Sequence, residues 1–96
     1  MAAYVIADVE IADAERYAEY SAQVPATLEP YEGRFLVRGG ATEMVEGDWL
    51  PRRLVIIEFP SVDAARRWYA SPEYQAILGI RHEAASARLI LADGAA

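Results

Sequence analysis

The sequence contains no cysteine and only one histidine, His82. Without cysteine the chain cannot form disulfides, thiolate nucleophiles or cysteine-ligated metal sites. One histidine cannot build a multi-histidine zinc centre, so we expect no metal site and no cofactor. The sequence also lacks a dinucleotide-binding glycine fingerprint, a P-loop and a zinc-protease motif. Serines are present without a nucleophile elbow, so a hydrolase triad is unsupported.

Long hydrophobic runs and an excess of positive charge are also missing. No apolar run approaches the roughly 18 residues of a membrane-spanning helix, and MAAYVIADVE lacks the basic start of a signal peptide. Acidic residues outnumber basic ones by 15 to 9, which gives a net charge of −6. Nucleic acids and anionic membranes repel such a charge. We therefore expect neither as a partner, and we expect a cytoplasmic location.

The residues that are present favour one small folded domain. The chain has 96 residues, of which 54% are hydrophobic, and this combination argues against disorder. We expect residues 1–96 to form a single domain, with a frayed tail at 93–96. A domain this small buries only about 60–70% of the surface that its unfolded chain exposes, so it gains stability from a partner that extends its core.

Hydrophobic periodicity and capping residues predict the order of helices and strands. Residues 3–10 alternate as a strand, and Asp13 is a helix N-cap before a helix that Pro25 should kink or restart. FLVRGG predicts a second strand with a bulge or bend at its double glycine, which ATEMV could extend, and RRLVIIEF predicts the third strand of a hairpin. Ser61 and Ser71 should cap two further helical segments before the final strand ARLILA. The order β-α-β-β-α-β predicts an α+β, ferredoxin-like fold with both helices on one face of an antiparallel sheet.

The two faces of this predicted sheet are both apolar. Two helices can cover only one of them, so the other needs a different cover. We predict that a second copy packs sheet against sheet about a two-fold axis, which makes a homodimer. The predicted helix-side positions are Val5, Val9, Phe35, Val37, Val55, Ile57, Phe59, Leu89 and Leu91, and the open-face positions are Ile6, Leu36, Leu54, Ile56 and Ile90.

Three runs, GRFLVRGG, EGDWLPRRLVIIEFPS and ARRWYASPEYQ with a following arginine, resemble the family called domain of unknown function 1330. The resemblance covers nearly the whole chain and implies the fold of the dimeric α/β-barrel superfamily, in which two ferredoxin-like sheets pack face to face. It implies no reaction. The wider superfamily includes cofactor-free monooxygenases, haem-degrading enzymes, lactone isomerases and stress-related proteins without clear catalysis. Arg81 matches the arginine that follows SPEYQ in the family.

A set of charged residues is predicted on the open face, namely Asp8, Arg34, Arg38, Glu58 and Arg88. Arg34 and Arg38 stand four residues apart, and regular alternation sends both to one side of a strand. Arginine forks suit an anionic substrate, and a carboxylate whose pKa is raised by an apolar pocket suits a general base. The alternative is an ion-pair network that only sets the register of the dimer.

Aromatic residues at helical spacing form a second set, which consists of Tyr17, Tyr20, Trp68, Tyr69 and Tyr74. They are expected either in the core or along a cleft for a small molecule. Trp49, in the hairpin turn, could cover a pocket or pack at the dimer edge. His82 is a candidate general base or lone haem ligand, and the alternative is a solvated residue at a helix end.

Three functions therefore remain open from the sequence, which does not decide whether the protein is an enzyme. They are a cofactor-independent enzyme for a small anionic organic molecule, a binding module without chemistry, and a homodimer whose charges only set its interface. The candidate catalytic residues are Glu58, Asp8 and His82, and the candidate substrate-binding residues are Arg34, Arg38, Arg88, Tyr17, Tyr20, Trp49, Tyr74 and Arg81.

Overall fold

The computed structural model describes residues 1–95, which form one four-stranded antiparallel sheet with helices on one face. The spatial order of the strands is β2-β3-β1-β4. This arrangement confirms the predicted ferredoxin-like fold, with the second helical segment divided into two helices. The elements are β1 (Ala3–Ile11), α1 (Ala14–Leu28), a 3-10 turn (Glu29–Tyr31), β2 (Arg34–Arg38), β3 (Leu54–Phe59), α2 (Val62–Ala70), α3 (Pro72–Ala84) and β4 (Ala85–Asp93).

The helices begin at the predicted caps. The Asp13 carboxylate accepts a hydrogen bond from the Arg16 backbone N–H at 3.0 Å, at the start of α1. Ser61 and Ser71 cap α2 and α3 through their hydroxyl oxygens in the same way. These bonds satisfy N–H groups that the first helical turn leaves without partners. Within the described chain, no helix has both the length and the apolar character needed to cross a membrane.

The core lies between the helices and one face of the sheet. Its largest fully buried side chains are Trp68, Tyr74 and Phe59. The Trp68 ring lies 4.1 Å from the Tyr74 ring and 5.4 Å from the Phe59 ring, measured between centroids. The Trp68 indole N–H donates to the Thr27 hydroxyl at 3.0 Å, and that hydroxyl donates to the Val24 carbonyl at 2.7 Å. The indole N–H of Trp68 and the hydroxyl of Thr27 are therefore paired within the core.

The opposite face of the sheet has no helix over it. Leu36 and Ile90 are 48% and 63% exposed there, whereas Ile6 and Ile56 near the sheet centre are half-buried. This confirms the predicted open apolar face.

A β-bulge at Leu36 interrupts the alternation of β2. Arg34 lies opposite Glu58 and Phe35 opposite Ile57, as in a regular pair of strands. The next residue of β3, Ile56, then lies opposite Val37 instead of Leu36. One extra residue on β2 therefore shifts every later side chain to the other face. The predicted helix-side placement of Val37 is wrong for this reason.

The same bulge moves Arg38 to the helix side, where it lies opposite Val55. The prediction that Arg34 and Arg38 share the open face is wrong, because a spacing of four keeps two residues on one face only in an uninterrupted strand. The double glycine lies just beyond the bulge, and Gly39 adopts a φ of +72°.

Pro25 lies inside α1, which continues to Leu28, so the predicted restart of the helix is wrong. Proline has no N–H, and the carbonyl of Ser21, four residues earlier, loses its helical partner. Arg38 donates from Nη2 to this carbonyl at 2.6 Å. An arginine turned inward by the bulge thus satisfies an acceptor that proline exposes.

One boundary prediction also differs from the structure. ATEMV forms no strand, and residues 41–53 are a loop without helix or strand. At the start of the tail that was predicted to fray, Asp93 pairs with Ala3 and the Gly94 N–H donates to the Ala2 carbonyl at 2.8 Å. Ala96 lies outside the described residues.

Thr27→Val should lower the free energy of unfolding by about 1–3 kcal/mol, because the buried Trp68 N–H would lose its acceptor. Thr42→Val, the same change in the loop before β3, should stay within about 0.5 kcal/mol of the wild type. Urea denaturation followed by tryptophan fluorescence measures both. Equal stability of the two variants would contradict this description of the core.

Candidate functional site

The sheet divides the predicted charged set between its two faces. Asp8, Arg34, Glu58 and Arg88 lie on the open face, where Asp8 is opposite Arg88 and Arg34 is opposite Glu58. Arg38 is the one member of this set that lies on the helix side. The two faces therefore need separate descriptions.

The open-face charges are paired with one another. Arg34 contacts Glu58 Oε1 through Nε and Nη2, both at 2.6 Å. Asp8 accepts hydrogen bonds from the Trp49 indole N–H at 3.2 Å and the Arg52 backbone N–H at 3.0 Å. Its carboxylate also lies 3.8 Å from Arg88. Both oxygens of Asp8 and one oxygen of Glu58, Oε1, thus accept from donors of the same chain.

These contacts lower the pKa of Asp8 below its ordinary value. The hydrogen bond from Trp49 is the largest cause, and burial, the second largest, opposes it. The backbone N–H of Arg52 and the charge of Arg88 lower the pKa further. This direction is opposite to the rise that would suit a general base. A carboxylate that accepts two hydrogen bonds and lies near a guanidinium is a weak base, so this environment favours proton abstraction by Asp8 less than an apolar one would.

The helix side contains a small cavity between α1, α3 and the sheet, which we call the helix–sheet cavity. Its volume is about 40 Å³, enough for about three water molecules. The polar lining consists of Tyr17, Tyr20, Ser21, Arg38, Arg53, Tyr74 and Arg81, and the apolar lining consists of Val5, Ala7, Val9, Val24, Phe35, Val55, Ile57, Trp68 and Leu89.

Three arginines reach this cavity from three different elements. Arg38 ends β2 and reaches the helix side through the bulge. Arg53 precedes β3 and stands two residues before the buried Val55, so alternation directs it inward. Arg81 lies in the last turn of α3 and is 5% exposed. The guanidinium groups therefore converge from the strand end, the loop and the helix.

The cavity arginines have no acidic partner among residues 1–95. The Nε atoms of Arg53 and Arg81 are buried and make no hydrogen bond within the described chain. No aspartate or glutamate is among the lining residues. A buried cation without an acceptor is unfavourable, because the charge has lost its hydration.

Aromatic rings and one carbonyl hold two of these arginines in place. The Arg38 guanidinium lies 4.3 Å from the Phe35 ring centroid and donates to the Ser21 carbonyl and hydroxyl at 2.6 and 3.2 Å. The Arg53 guanidinium lies 5.5 Å from the Tyr17 ring centroid. Cation–π contacts of this kind orient a guanidinium and leave its in-plane N–H groups available to a ligand.

Two buried tyrosines add hydroxyl groups to the cavity. The hydroxyls of Tyr20 and Tyr74 are 2.7 Å apart and hydrogen-bonded. Burial raises the pKa of both tyrosines above the ordinary value of 10.0, and the neighbouring Tyr74 raises that of Tyr20 further. The positive charge of Arg81 lowers the pKa of both tyrosines, but by less than burial raises it. Both phenols are therefore neutral near pH 7, and because one donates to the other, the pair has one O–H left to donate to a ligand.

The predicted site residues thus fall into two groups. Tyr17, Tyr20, Tyr74, Arg81 and Arg38 meet at the helix–sheet cavity, and their assignment to ligand binding stays a prediction. The other candidates lie elsewhere, namely Asp8, Arg34, Trp49, Glu58 and Arg88 on the open face and the exposed His82 in the last turn of α3.

Sequence reasoning missed Arg53. Its signal was present, because Arg53 stands two residues before Val55, a predicted helix-side position. Alternation within the predicted third strand RRLVIIEF, which includes Arg53, places this arginine on the helix side with Val55. Among residues 1–95, no cluster of three histidine, aspartate or glutamate residues could hold a metal ion.

The profile of the family described as "Domain of unknown function (DUF1330)" matches residues 2–95. The chain belongs to this family. No curated protein matches the chain. A DUF1330 domain therefore occupies nearly the whole sequence, and the resemblance carried by its three sequence runs is confirmed.

Solved structures share the fold of this DUF1330 chain. A protein of unknown function from Rhodopseudomonas palustris is 24% identical with a TM-score of 0.77, over 99% of this chain and 83% of that one. The cofactor-independent oxygenase SnoaB from Streptomyces nogalater is 16% identical with a TM-score of 0.70, over 99% and 94%. A putative antibiotic biosynthesis monooxygenase from Caulobacter crescentus is 15% identical with a TM-score of 0.68, over 99% and 91%. At such identities these similarities establish the ferredoxin-like fold alone.

Gly39→Ala should displace Arg53 from its position over Tyr17. A Cβ atom at Gly39 would collide with the Arg53 guanidinium, and the φ of +72° disfavours any side chain there. The positive φ alone should cost about 1 kcal/mol or more of stability.

Gly40→Ala is the matched control, since a Cβ atom at Gly40 meets nothing within 4 Å. The ¹H–¹⁵N resonance of Arg53 Nε should move in Gly39→Ala and stay in place in Gly40→Ala. Identical spectra for the two variants would show that Gly39 does not position Arg53.

Proposed function

We propose that the protein binds a small organic anion in the helix–sheet cavity. The observation that carries this proposal is Arg81, which is 5% exposed and has a buried Nε without a hydrogen-bond partner among residues 1–95. Arg53 offers a second buried Nε of the same kind. An anion bound between them would supply the missing acceptor and remove the cost of the buried charge.

The local charge of the cavity supports an anionic ligand despite the net charge of −6. Three guanidinium groups line the cavity, and the acids of the protein lie outside its lining. A low-dielectric enclosure concentrates the field of such groups, so the cavity attracts an anion that the outer surface would repel.

The chemistry of the lining supports binding more than proton transfer. Tyr20 and Tyr74 are neutral donors, and no carboxylate lines the cavity. His82 is exposed and does not contribute to the lining. The described cavity therefore offers donors for an anion and no ionised base.

A second candidate is a cofactor-independent enzyme, in which the guanidinium groups stabilise an anion formed from the substrate itself. The structural neighbour SnoaB, a cofactor-independent oxygenase, carries the same fold at 16% identity. Conversion of a bound ligand, detected as a product by mass spectrometry with purified protein and air, would favour this candidate. Binding without a product would favour a binding module that performs no chemistry.

We further infer that the protein is a homodimer joined through the open face. Leu36, Trp49 and Ile90 are each about half or more exposed on this side, which leaves a large apolar area without cover. The Arg34–Glu58 pair and the Asp8–Trp49 contact would lie within such an interface. In this arrangement they set the register of the two sheets, which is the structural role foreseen for charged residues on this face.

Ile90→Glu should convert the dimer to a monomer, because it buries a new charge between the two sheets. Ala22→Glu, which adds the same charge at an exposed position of α1, should leave the dimer intact. Sedimentation velocity at micromolar concentration measures the mass of each species. A wild-type protein that sediments as a monomer would contradict the interface.

Arg81→Met should abolish the stabilisation of the protein by its anionic ligand. A thermal-shift screen of small organic anions, each beside its neutral amide, identifies ligands of the wild type. At ten times its Kd, a ligand should raise the Tm by roughly 6–10 °C. Arg67→Met is the control, because Arg67 is an exposed arginine paired with Asp63 on α2. An equal Tm shift in Arg81→Met and Arg67→Met, or no Tm shift with any anion, would contradict the proposed function.

A further inference from the structure

We infer that the anion of the helix–sheet cavity is the carboxylate of a small apolar acid, rather than a phosphate or a sulfate. This inference rests on the proposed function, since it specifies the ligand of the same site. It comes from three features of the lining, which are the donor edges of the arginines, the apolar floor and the position of Arg81 on its helix.

The donor edges of Arg53 and Arg81 match a planar acceptor. In both residues the buried Nε lacks a partner among residues 1–95, and Nε lies beside one terminal nitrogen on the edge of the guanidinium plane. This edge presents two parallel N–H groups, which fit the two oxygens of a carboxylate. All nine basic residues of the chain are arginine, so no lysine ammonium offers an undirected charge instead.

The floor of the cavity is apolar throughout. It is formed by Val5, Ala7, Val9, Val55 and Ile57 from the centre of the sheet. A phosphate or sulfate directs oxygens to all sides, and those facing this floor would find no donor. A carboxylate has its oxygens at one end and carbon at the other, so its hydrocarbon part can contact the floor while its oxygens contact the arginines.

The position of Arg81 disfavours a multiply charged anion. Arg81 lies in the last turn of α3, where the helix dipole places partial negative charge. Phosphates prefer the opposite end, where backbone N–H groups point at the ligand. At the start of α1, the Arg16 N–H already donates to the Asp13 carboxylate. The cavity therefore offers side-chain donors to a singly charged group.

The size of the cavity limits the acid. A volume of about 40 Å³ accommodates a carboxylate and one or two carbon atoms, on the scale of about three water molecules. Arg81 is deeply buried, whereas Arg38 is exposed and marks the mouth. The carboxylate therefore binds at the Arg81 end, and any longer chain leaves the cavity past Arg38.

The Nε–H groups of the arginines allow a direct test by NMR. Propionate is titrated into ¹⁵N-labelled wild-type protein, with propionamide as the neutral isostere and inorganic phosphate and sulfate as competing anions. Propionate should move the Nε resonances of Arg53 and Arg81 in a saturable way, and propionamide should leave them unchanged. Phosphate and sulfate should bind at least about ten-fold more weakly, because they leave acceptors without donors on the floor side.

Variants assign the effect to Arg81. Arg81→Met should weaken propionate binding by at least about ten-fold, and Arg81→Lys should weaken it by a similar factor, because lysine keeps the charge and loses the two-donor edge. Arg67→Met should bind as the wild type does. If Arg81→Met does not fold, Arg53→Met provides the same comparison through the second Nε.

Two outcomes would overturn the inference, and they are distinguishable. Phosphate or sulfate that binds as tightly as propionate would refute the carboxylate and would leave the anion-binding function in place. If none of these anions moves either resonance, the carboxylate and the proposed function both fail. Selective, saturable binding of propionate that is lost in Arg81→Met supports the inference.

Discussion

A guanidinium group keeps its charge at any ordinary pH, so its burial requires an acceptor nearby. On the open face, Arg34 and Arg88 lie beside the carboxylates of Glu58 and Asp8. On the helix side, Arg53 and Arg81 have buried nitrogens without partners among residues 1–95. This contrast between the faces is the basis for proposing a structural role for one set of charges and a ligand-binding role for the other.

The inward set depends on a single extra residue in β2. The bulge at Leu36 reverses the direction of Arg38 and brings it beside Phe35 and α1. Pro25 contributes from the other side, since it leaves the Ser21 carbonyl free to accept from Arg38. Two local irregularities, one in a strand and one in a helix, thus combine to fix an arginine at the mouth of the cavity.

The sequence predicted those features that depend on local patterns. The caps at Asp13, Ser61 and Ser71 and the alternation of β1 and β3 follow from neighbouring residues alone, and the structure confirms them. The three sequence runs that resemble the family predicted the overall architecture. This part of the fold could therefore be predicted from the sequence alone.

The arrangement of the charges was less accessible, because it depends on contacts distant in sequence. The bulge depends on how β2 pairs with β3, and no residue type within RFLVR predicts it. The low pKa of Asp8 depends on Trp49, which is 41 residues away in a loop. Arg53 was missed although regular alternation extends to it. Strand alternation alone could therefore place Val5 and Ile57 correctly, yet it assigned Arg38 to the wrong face.

The most direct test of this account is a crystal structure of the protein at a resolution that shows individual water molecules. The account predicts Arg34 and Arg38 on opposite faces of the sheet, with an anion or ordered water bound to the Nε atoms of Arg53 and Arg81. Both arginines on the open face, or an acidic side chain paired directly with Arg81, would contradict it.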